Sequence, residues 1–390
     1  MGHAGGRLFL KGLFPMKKII SAGHICLDMT PVFPTGHSYD RIGDLLVPGK
    51  LIRMDAASVH TGGSVANTGL ALKLLGNDVT LLGKVGKDAF GSIVESILAG
   101  YGAGGLIPDQ QSSTSYSVVL AVPGMDRVFL HNPGANDTFS ASDIPEKALA
   151  DAALFHFGYP TLMKRMYAEN GSELQSLFCR VKGSGIATSL DLAAVDPQSE
   201  AGKANWQEIL KNTLPYVDFF VPSFEELCYM LDRSRYDTLS AKGGDMTEQE
   251  EIPEMADELA RKCLDLGCGA VLIKCGLSGM VYRTGSGERM AQVGARLELN
   301  ADAWANRSGK QPCYRAEIVR SATGAGDVSI AAYLTALMNG ETPAECAKLA
   351  AAEGAASVSS YDALGGILPL NELKKRIAEY ENGGRPCLSI

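Results

Sequence analysis

Short apolar runs of strand length alternate with longer helical segments along most of this chain, and that alternation constrains the fold more than any other feature. Val79–Gly86 has the length of a strand, and Ala89–Ala99 after it has the length of a helix. Four more strand-length runs, each followed by a segment able to form a helix, lie at 153–157, 186–190, 219–221 and 270–274. Repeated strand–helix units pair their strands in parallel and cover both sheet faces. The sequence therefore predicts an α/β fold, a doubly wound, mostly parallel sheet flanked by helices.

Two intervals, at about 31–60 and 113–131, interrupt this alternation. The second contains the alternating run Tyr116–Val122, turn residues at 123–126, and then Arg127–Leu130, a pattern typical of a β-hairpin. We expect both intervals to form a small antiparallel sheet beside the main one. A lid over a bound substrate is a natural use for such a sheet. A surface hairpin without a function is the alternative.

The chain is long enough and apolar enough for one large domain, with 390 residues of which 46% are hydrophobic. We expect the domain to span 16–390, because Met16 begins a run that leads directly into a strand. Residues 1–15 have the character of an N-terminal extension or of a segment added in cloning. The polar, glycine-punctuated segments 233–251 and 300–311 predict surface insertions.

The charge distribution indicates a small-molecule partner. The net charge is −8, and Lys and Arg are scattered rather than grouped in a stripe, which disfavours a nucleic-acid surface. The nine cysteines form neither a zinc-type pair nor a compact disulfide pattern, so we expect reduced thiols. No apolar run approaches the roughly 18–20 residues needed to span a bilayer. We therefore expect a cytoplasmic protein with no membrane and no nucleic-acid partner.

A glycine-rich turn opens an apolar helix late in the chain, with Ser321–Asp327 followed by Val328–Leu337. A helix N-terminus gathers unpaired N–H groups, and the small residues Gly324, Ala325 and Gly326 let a charged oxygen approach them. Asp327 is placed to take a proton from a substrate hydroxyl while those amides stabilise a phosphoryl group. The pairing indicates phosphoryl transfer to an alcohol. An ordinary turn with a capping Asp is the alternative for this motif alone.

A second glycine turn, Gly62 and Gly63, opens a predicted helix that carries Asn67 one turn inside its N-terminus. Backbone donors and a carboxamide at this spacing can hold sugar hydroxyls. Asp28 follows the first predicted strand, Ile19–Cys26, and its carboxylate can accept two hydrogen bonds from vicinal hydroxyls. A simple turn and a loop or capping Asp are the respective alternatives.

A third candidate is Glu226, in the first predicted helical turn after the strand that ends at Val221. A carboxylate there can hold a magnesium-bound water near nucleotide phosphates, because Mg²⁺ keeps waters and takes few protein carboxylates. The helix macrodipole explains an acid at this position equally well.

Taken together and in this order, these segments resemble the ribokinase-like sugar kinases of the PfkB family. The resemblance runs from about residue 16 to about residue 370, and its strongest parts are Gly62-Gly63 with Asn67 and Thr323–Asp327. Intermediate landmarks are the hairpin turn at 124–127, Gly134-Ala135-Asn136, Asp191, Cys275-Gly276 with Gly279, and Gly365-Gly366 before Pro369.

The resemblance implies ATP-dependent phosphoryl transfer to a hydroxyl of a small sugar or sugar derivative, with Mg²⁺ as cofactor. Asp327 would be the general base, and the backbone of Gly324, Ala325 and Gly326 would be the anion hole. The sugar would be held by Asp28, Gly62, Gly63 and Asn67. The resemblance also implies nucleotide contacts from Ser223, Lys274, Gly276 and Thr323, and a magnesium role for Glu226.

Three positions depart from the family pattern: Ser223 replaces the usual Asn, Lys274 the usual Thr, and Ser321 a common Asp that helps bind a monovalent cation. A monovalent-cation requirement is therefore left open. A nucleoside kinase of the same fold and a sugar-binding or regulatory protein that has lost catalysis are the alternative functions. An exposed edge of the lid sheet makes a homodimer plausible.

Overall fold

The computed structural model describes residues 17–34, 41–123, 125, 127–360 and 362–383. Within them the strands are β1 Lys18–Gly23, β2 Cys26–Val32, β3 Asp55–Gly62, β4 Asp78–Gly86, β5 Ile107–Asp109, β6 Tyr116–Leu120, β7 Val128–Asn132, β8 Ala152–Gly158, β9 Ala187–Leu190, β10 Phe219–Phe220, β11 Ala270–Lys274, β12 Met280–Thr284 and β13 Ser308–Gln311. The α-helices are α1 Ile42–Leu45, α2 Ser64–Leu74, α3 Ala89–Gly100, α4 Glu146–Ala150, α5 Lys164–Tyr167, α6 Ser172–Gly183, α7 Glu200–Lys203, α8 Trp206–Thr213, α9 Phe224–Leu231, α10 Arg233–Ser240, α11 Ile252–Asp265, α12 Gly287–Met290, α13 Ala301–Trp304, α14 Ala325–Met338, α15 Pro343–Ser357 and α16 Leu370–Glu381. Short 3-10 helices lie at Gly134–Thr138, Ala141–Asp143, Pro160–Leu162, Ala168–Gly171, Leu214–Tyr216, Met246–Glu248, Gly276–Ser278 and Ala295–Leu297.

Nine strands form the main sheet, in the order β13-β12-β11-β10-β9-β8-β1-β4-β5. The seven from β11 to β5 pair in parallel, and β12 and β13 add antiparallel at one edge. Neighbouring residues of the central strands face opposite sides, so Ile19 and Leu154 enter one apolar core and Ile20 and Phe155 enter the other. Both faces are therefore covered, and the predicted doubly wound α/β sheet is confirmed.

Four strands form a separate small sheet in the order β3-β2-β6-β7. The predicted hairpin is confirmed as the antiparallel pair β6 and β7, and its turn residues Gly124 and Asp126 lie outside the described part of the chain. The expectation of an antiparallel sheet was wrong in one respect, because β2 and β6 pair in parallel.

The predicted first strand Ile19–Cys26 was also wrong, because the chain breaks it at residues 24 and 25 into β1 and β2. Asp28 consequently lies within the small sheet rather than in a loop after the first strand. The break is fixed by the buried side chain of Asn136, which accepts from the Ile25 amide at 3.1 Å and donates to the Ile25 carbonyl at 2.9 Å.

The two predicted surface insertions contribute more structure than their polarity indicated. The first contains α10 and buries Met246 and Thr247, which lie at 8% and 6% exposure. The second supplies edge strand β13 and the buried indole of Trp304. Few apolar residues in each segment are enough to attach it to the core, because each one is almost completely buried.

The described cysteines, which exclude Cys387, are all free. Among the described helices, none combines the length and the apolar character that crossing a bilayer requires. The predicted extension at residues 1–15 lies outside the described residues.

Candidate active site

The predicted glycine turn is the N-terminus of α14, with Gly324 as the capping residue. Gly324 has a φ of 77°, in the left-handed region, and a Cβ at this position would lie 2.3 Å from the Cβ of Ala363. Both observations require glycine, since a side chain would be strained and would collide. The local sequence thus fixes the path of the backbone into α14.

The amides at this turn are only partly used by the protein itself. The Ala325 amide donates to the Ala322 carbonyl at 3.2 Å, so it already has an acceptor. The amides in the first turn of an α-helix have no intrahelical acceptor. Beside them, a Cβ built on Gly326 would lie 3.6 Å from Cε of Lys274, which places this lysine side chain against the turn.

Asp327 follows the turn and is only 4% exposed. Its carboxylate accepts three hydrogen bonds: from Tyr159 Oη at 2.7 Å, from Asn67 Nδ2 at 3.1 Å and from Thr68 Oγ1 at 2.9 Å. Three donors from two distant elements fix the orientation of this carboxylate. Asn67 was predicted in the site as a sugar ligand, and the structure brings its amide to Asp327.

The sequence reasoning missed Thr68 and Tyr159. Thr68 directly follows Asn67 on α2, and its only sequence signal was that position. Tyr159 has a φ of 65°, which is uncommon for a non-glycine residue, and it directly follows β8 at the carboxyl edge of the main sheet. Burial raises the pKa of Tyr159 well above its usual range, and Asp327 adds to this, so the phenol stays a donor.

Asp28, on β2, contacts the first glycine of the second motif. A Cβ on Gly62 would lie 2.1 Å from Oδ2 of Asp28, so only glycine leaves room for this carboxylate. The thiol of Cys26 donates to Asp28 Oδ1 at 3.2 Å, and burial is the main cause of the raised pKa of that thiol. Asp28 and Gly62, two of the residues predicted to hold the sugar, therefore lie side by side.

Gly63 caps α2 with a φ of 84°, and a Cβ there would lie 2.6 Å from Nδ1 of His24. The His24 ring lies between two other rings, with centroids 5.4 Å from His131 and 6.2 Å from Tyr159. Ser117 and His131, a cross-strand pair on β6 and β7, contact each other at 3.1 Å. Sequence reasoning did not assign a site role to either histidine.

Ser223 and Glu226 form a capping box at the start of α9. Glu226 Oε2 accepts from the Ser223 amide at 2.8 Å, and Ser223 Oγ accepts from the Glu226 amide at 3.3 Å. The arrangement explains why this sequence starts a helix here. It also agrees with the alternative interpretation of Glu226 as a residue that stabilises the helix terminus.

Lys274 ends β11 and forms a buried ion pair with Asp191. Its Nζ donates to Asp191 Oδ1 at 2.7 Å and to the Val221 carbonyl at 2.6 Å. Burial is the main cause that raises the pKa of Asp191 above its usual range, Glu226 and Asp327 act in the same direction, and Lys274 opposes the shift. Acidic groups and one lysine therefore meet at the carboxyl ends of the central strands.

The remaining two candidates are Gly276, which lies just after β11, and Thr323, which lies just before α14. Gly276 has a φ of 49°, and a Cβ there would lie 2.4 Å from Thr247 Oγ1. Arg127, next to the hairpin turn, donates to the hydroxyl of Thr323 and, at 3.2 Å, to the hydroxyl of Ser321. Sequence reasoning counted Arg127 only as a landmark, and its contact with the α14 turn connects the small sheet to the candidate anion site.

The site combines a buried carboxylate held by three donors and the N-terminus of α14 beside it. Polar side chains of the small sheet, those of Asp28, Ser117 and His131, complete it. A carboxylate can accept a proton from a hydroxyl, and the helix terminus can stabilise an anion. The described residues contain no group of three or more His, Cys, Asp or Glu side chains able to hold a metal ion by themselves. This edge therefore places a group able to accept a proton next to a turn able to bind an anion.

Comparison with known proteins identifies the family of this chain. The family model described as pfkB family carbohydrate kinase matches residues 17–369. Fructokinase-1 of Zea mays is 31% identical over 106 residues, which cover 26% of this chain and only 33% of that protein. A sugar kinase of Archaeoglobus fulgidus is 24% identical over 305 residues, which cover 76% of this chain and 98% of that protein.

Solved structures share the fold at low identity. Xylella fastidiosa fructokinase with bound ATP has a TM-score of 0.68 at 19% identity, covering 94% of this chain and 100% of that one. Arabidopsis thaliana ribokinase complexed with ribose and ATP has a TM-score of 0.65 at 19% identity, covering 93% and 98%. These likenesses establish a ribokinase-like fold, and the family match over nearly the whole chain shows that the protein belongs to the pfkB family of carbohydrate kinases.

Proposed function

We propose that this protein transfers the terminal phosphoryl group of ATP to a hydroxyl of a small sugar or sugar derivative. The observation that carries the proposal is the buried carboxylate of Asp327, held by Tyr159, Asn67 and Thr68 directly beside the N-terminus of α14. A general base and an anion-binding turn are the two groups that this reaction needs most.

In the proposed step, Asp327 accepts the proton of the substrate hydroxyl. The hydroxyl oxygen forms a bond to the γ-phosphorus, the bond between that phosphorus and the β–γ bridging oxygen breaks, and ADP leaves. The backbone at Gly324, Ala325 and Gly326 stabilises the transferred group, with the first-turn amides beyond Ala325 as the main donors, because the Ala325 amide is already bonded to Ala322.

The acceptor sugar would lie between α2 and the small sheet, held by Asp28, Gly62, Gly63 and Asn67. Asp28 supports this role because Gly62 leaves space at its carboxylate. Asn67 has an amide oxygen in addition to the nitrogen that bonds to Asp327. These groups suit hydroxyls, since each offers a donor or an acceptor of matching geometry.

ATP would lie along the other side of the α14 turn, against Ser223, Lys274, Gly276 and Thr323. Lys274 supports this placement, because its side chain packs against Gly326 and carries a positive charge. Glu226 would take a magnesium role through a bound water, since the capping box uses only its Oε2 and Mg²⁺ takes few protein carboxylates. When bound, Mg²⁺ would neutralise phosphate charge.

Arg127 supports a lid role for the small sheet, because it reaches from the hairpin to Ser321 and Thr323 beside the anion site. The same contacts place a guanidinium at Ser321, the position that departs from the family's cation-binding Asp. We therefore expect ADP formation to be the same in potassium and tetramethylammonium buffers. Activation by potassium would contradict this.

A homodimer through the small sheet is also proposed, because β7 is an edge strand and exposes Phe129 and Leu130 at 57% and 54%. Sedimentation at working concentration tests it. A monomer there, or a dimer that survives Phe129→Glu, would remove this proposal.

The experiment that tests the function is ADP release from magnesium-ATP with ketoses, aldoses, sugar acids, sugar phosphates and nucleosides in turn. We expect a substrate-dependent signal that Asp327→Asn lowers about 10²–10⁴-fold in kcat. Asp88→Asn is the matched control, because the Asp88 carboxylate accepts hydrogen bonds from Gly91 and Thr114 rather than from any proposed site residue.

The same panel separates the alternatives. Turnover confined to nucleosides would indicate a nucleoside kinase. Sugars that raise the melting temperature without any ADP release would indicate a binding protein. Unchanged turnover in Asp327→Asn would refute the assignment of the base.

A further inference from the structure

His24 is a buried histidine whose two ring nitrogens have no hydrogen-bond partner among the described residues. The residue is only 2% exposed, and neither Nδ1 nor Nε2 of its ring has a hydrogen-bond partner in the described part of the chain. A buried donor and acceptor left unpaired cost stability, so such a group in a native protein needs a bound water or ligand.

The position of His24 points to a ligand at the site described above. Its ring lies between the His131 ring of the small sheet and the Tyr159 ring, at 5.4 and 6.2 Å between centroids. Tyr159 in turn donates to the base Asp327 at 2.7 Å. His24 is therefore one aromatic ring away from the base, on the side of the small sheet.

The charges around this pair of histidines are negative. Asp28 and Asp137 are the charged groups that act on His131, and both oppose the lowering of its pKa by desolvation. Burial and the neighbouring His131 lower the pKa of His24 to about 3, so its ring is neutral. A neutral imidazole offers one donor and one acceptor, which match a hydroxyl, whereas a carboxylate bound here would be repelled by the negative charges of Asp28 and Asp137.

We propose that His24 binds a hydroxyl at the non-reacting end of the acceptor, and that this site selects neutral polyhydroxy compounds over sugar acids. The inference rests on the proposed kinase function and deepens it. The orphaned ring nitrogens, the ring contacts to His131 and Tyr159, and the carboxylate of Asp28 carry it together.

The direct test is a binding experiment that needs no turnover. The full-length protein, labelled with ¹⁵N-histidine and assigned with His24→Asn and His131→Asn, is titrated with D-fructose, D-ribose, D-glucose, sorbitol and D-gluconate. We expect the His24 ring signals to move with at least one neutral compound and to stay unchanged with D-gluconate. Unmoved His24 signals with every neutral compound, or binding of D-gluconate as tight as that of the best neutral compound, would overturn the inference.

Kinetics provides the second test. His24→Phe keeps an aromatic ring between His131 and Tyr159 and removes both nitrogens. We expect the KM for the neutral acceptor to rise about 3–10-fold, as for the loss of one neutral hydrogen bond, with a smaller change in kcat. His24→Asn, which keeps a donor and an acceptor, should recover part of the loss.

His156 provides the matched control. It is also completely buried with an unpaired Nε2, and its Nδ1 contacts Ser189 Oγ at 3.0 Å. His156→Phe therefore measures the effect of replacing a buried histidine that already has one side-chain partner. Equal KM changes in the two Phe variants would overturn the inference. Absence of ADP release from every compound would instead refute the proposed function, and the NMR titration would still decide the role of His24.

Discussion

Replacing Gly324 with alanine tests whether the backbone path into α14 sets the position of Asp327, the proposed base. Gly324→Ala introduces two separate effects. The first is backbone strain, because φ is 77° at this residue. The second is a collision, because the new Cβ would lie 2.3 Å from the Cβ of Ala363.

The chain provides a control that isolates the strain. Gly340, just beyond the other end of α14, has a φ of 80° and nothing within 4 Å of an added Cβ. Gly340→Ala should therefore lower the free energy of unfolding by about 1–2 kcal/mol, the cost of holding alanine in a left-handed backbone conformation. Gly324→Ala should cost that amount and the collision in addition.

Relieving the collision requires a displacement of about 1 Å, since ordinary carbon contacts begin near 3.4 Å and the built separation is 2.3 Å. A misplacement of this size at reacting groups costs about 10²-fold in rate. We expect kcat to fall by about that factor in Gly324→Ala and to stay unchanged in Gly340→Ala.

Urea unfolding and steady-state ADP release measure the two quantities on the same preparations. Adding Ala363→Gly to Gly324→Ala removes the opposing methyl group and should return most of the lost kcat, while the strain remains. Equal kcat in the two single alanine variants, or a double variant no faster than Gly324→Ala, would refute the reasoning.

Two further predictions concern buried charges. Burial raises the pKa of Glu353 to about 8, so the stability from its protonated form is complete below about pH 4.5 and is lost as pH rises through about 8. Glu353→Gln should flatten this decline, which amounts to on the order of 5 kcal/mol by pH-dependent urea unfolding; parallel curves for the two proteins would contradict it. Lys274→Met leaves the carboxylate of Asp191 buried without its cation and should cost about 3–5 kcal/mol, most of which Asp191→Asn added to it should restore. Wild-type stability in Lys274→Met, measured by the same unfolding, would contradict that prediction.

The main sheet could be predicted from the sequence because its signals are local. Apolar runs bounded by turn residues give the strands, and the predicted run 270–274 coincides with β11. The break between β1 and β2 could not be found this way. It depends on Asn136, more than a hundred residues away, which bonds to the backbone of Ile25.

The candidate site could likewise be predicted only where its signals are local. Glycines with positive φ and the acid after them are visible as a motif, so Gly324 and Asp327 were found. The partners of that acid were not, since the Tyr159 contact spans 168 residues and depends on how the strands are ordered. No sequence motif marks His24, because the argument for its role is that its ring nitrogens have no hydrogen-bond partner among the described residues.

The clamp of Asn136 on Ile25 determines how the small sheet is able to move. The link between β1 and β2 is two residues long. The amide and the carbonyl of its second residue, Ile25, are both hydrogen-bonded to Asn136. Such a link does not act as a free hinge. In the proposed lid role, closure would come from twisting of the small sheet's own strands, so that the hairpin with Arg127 would move farther than Asp28.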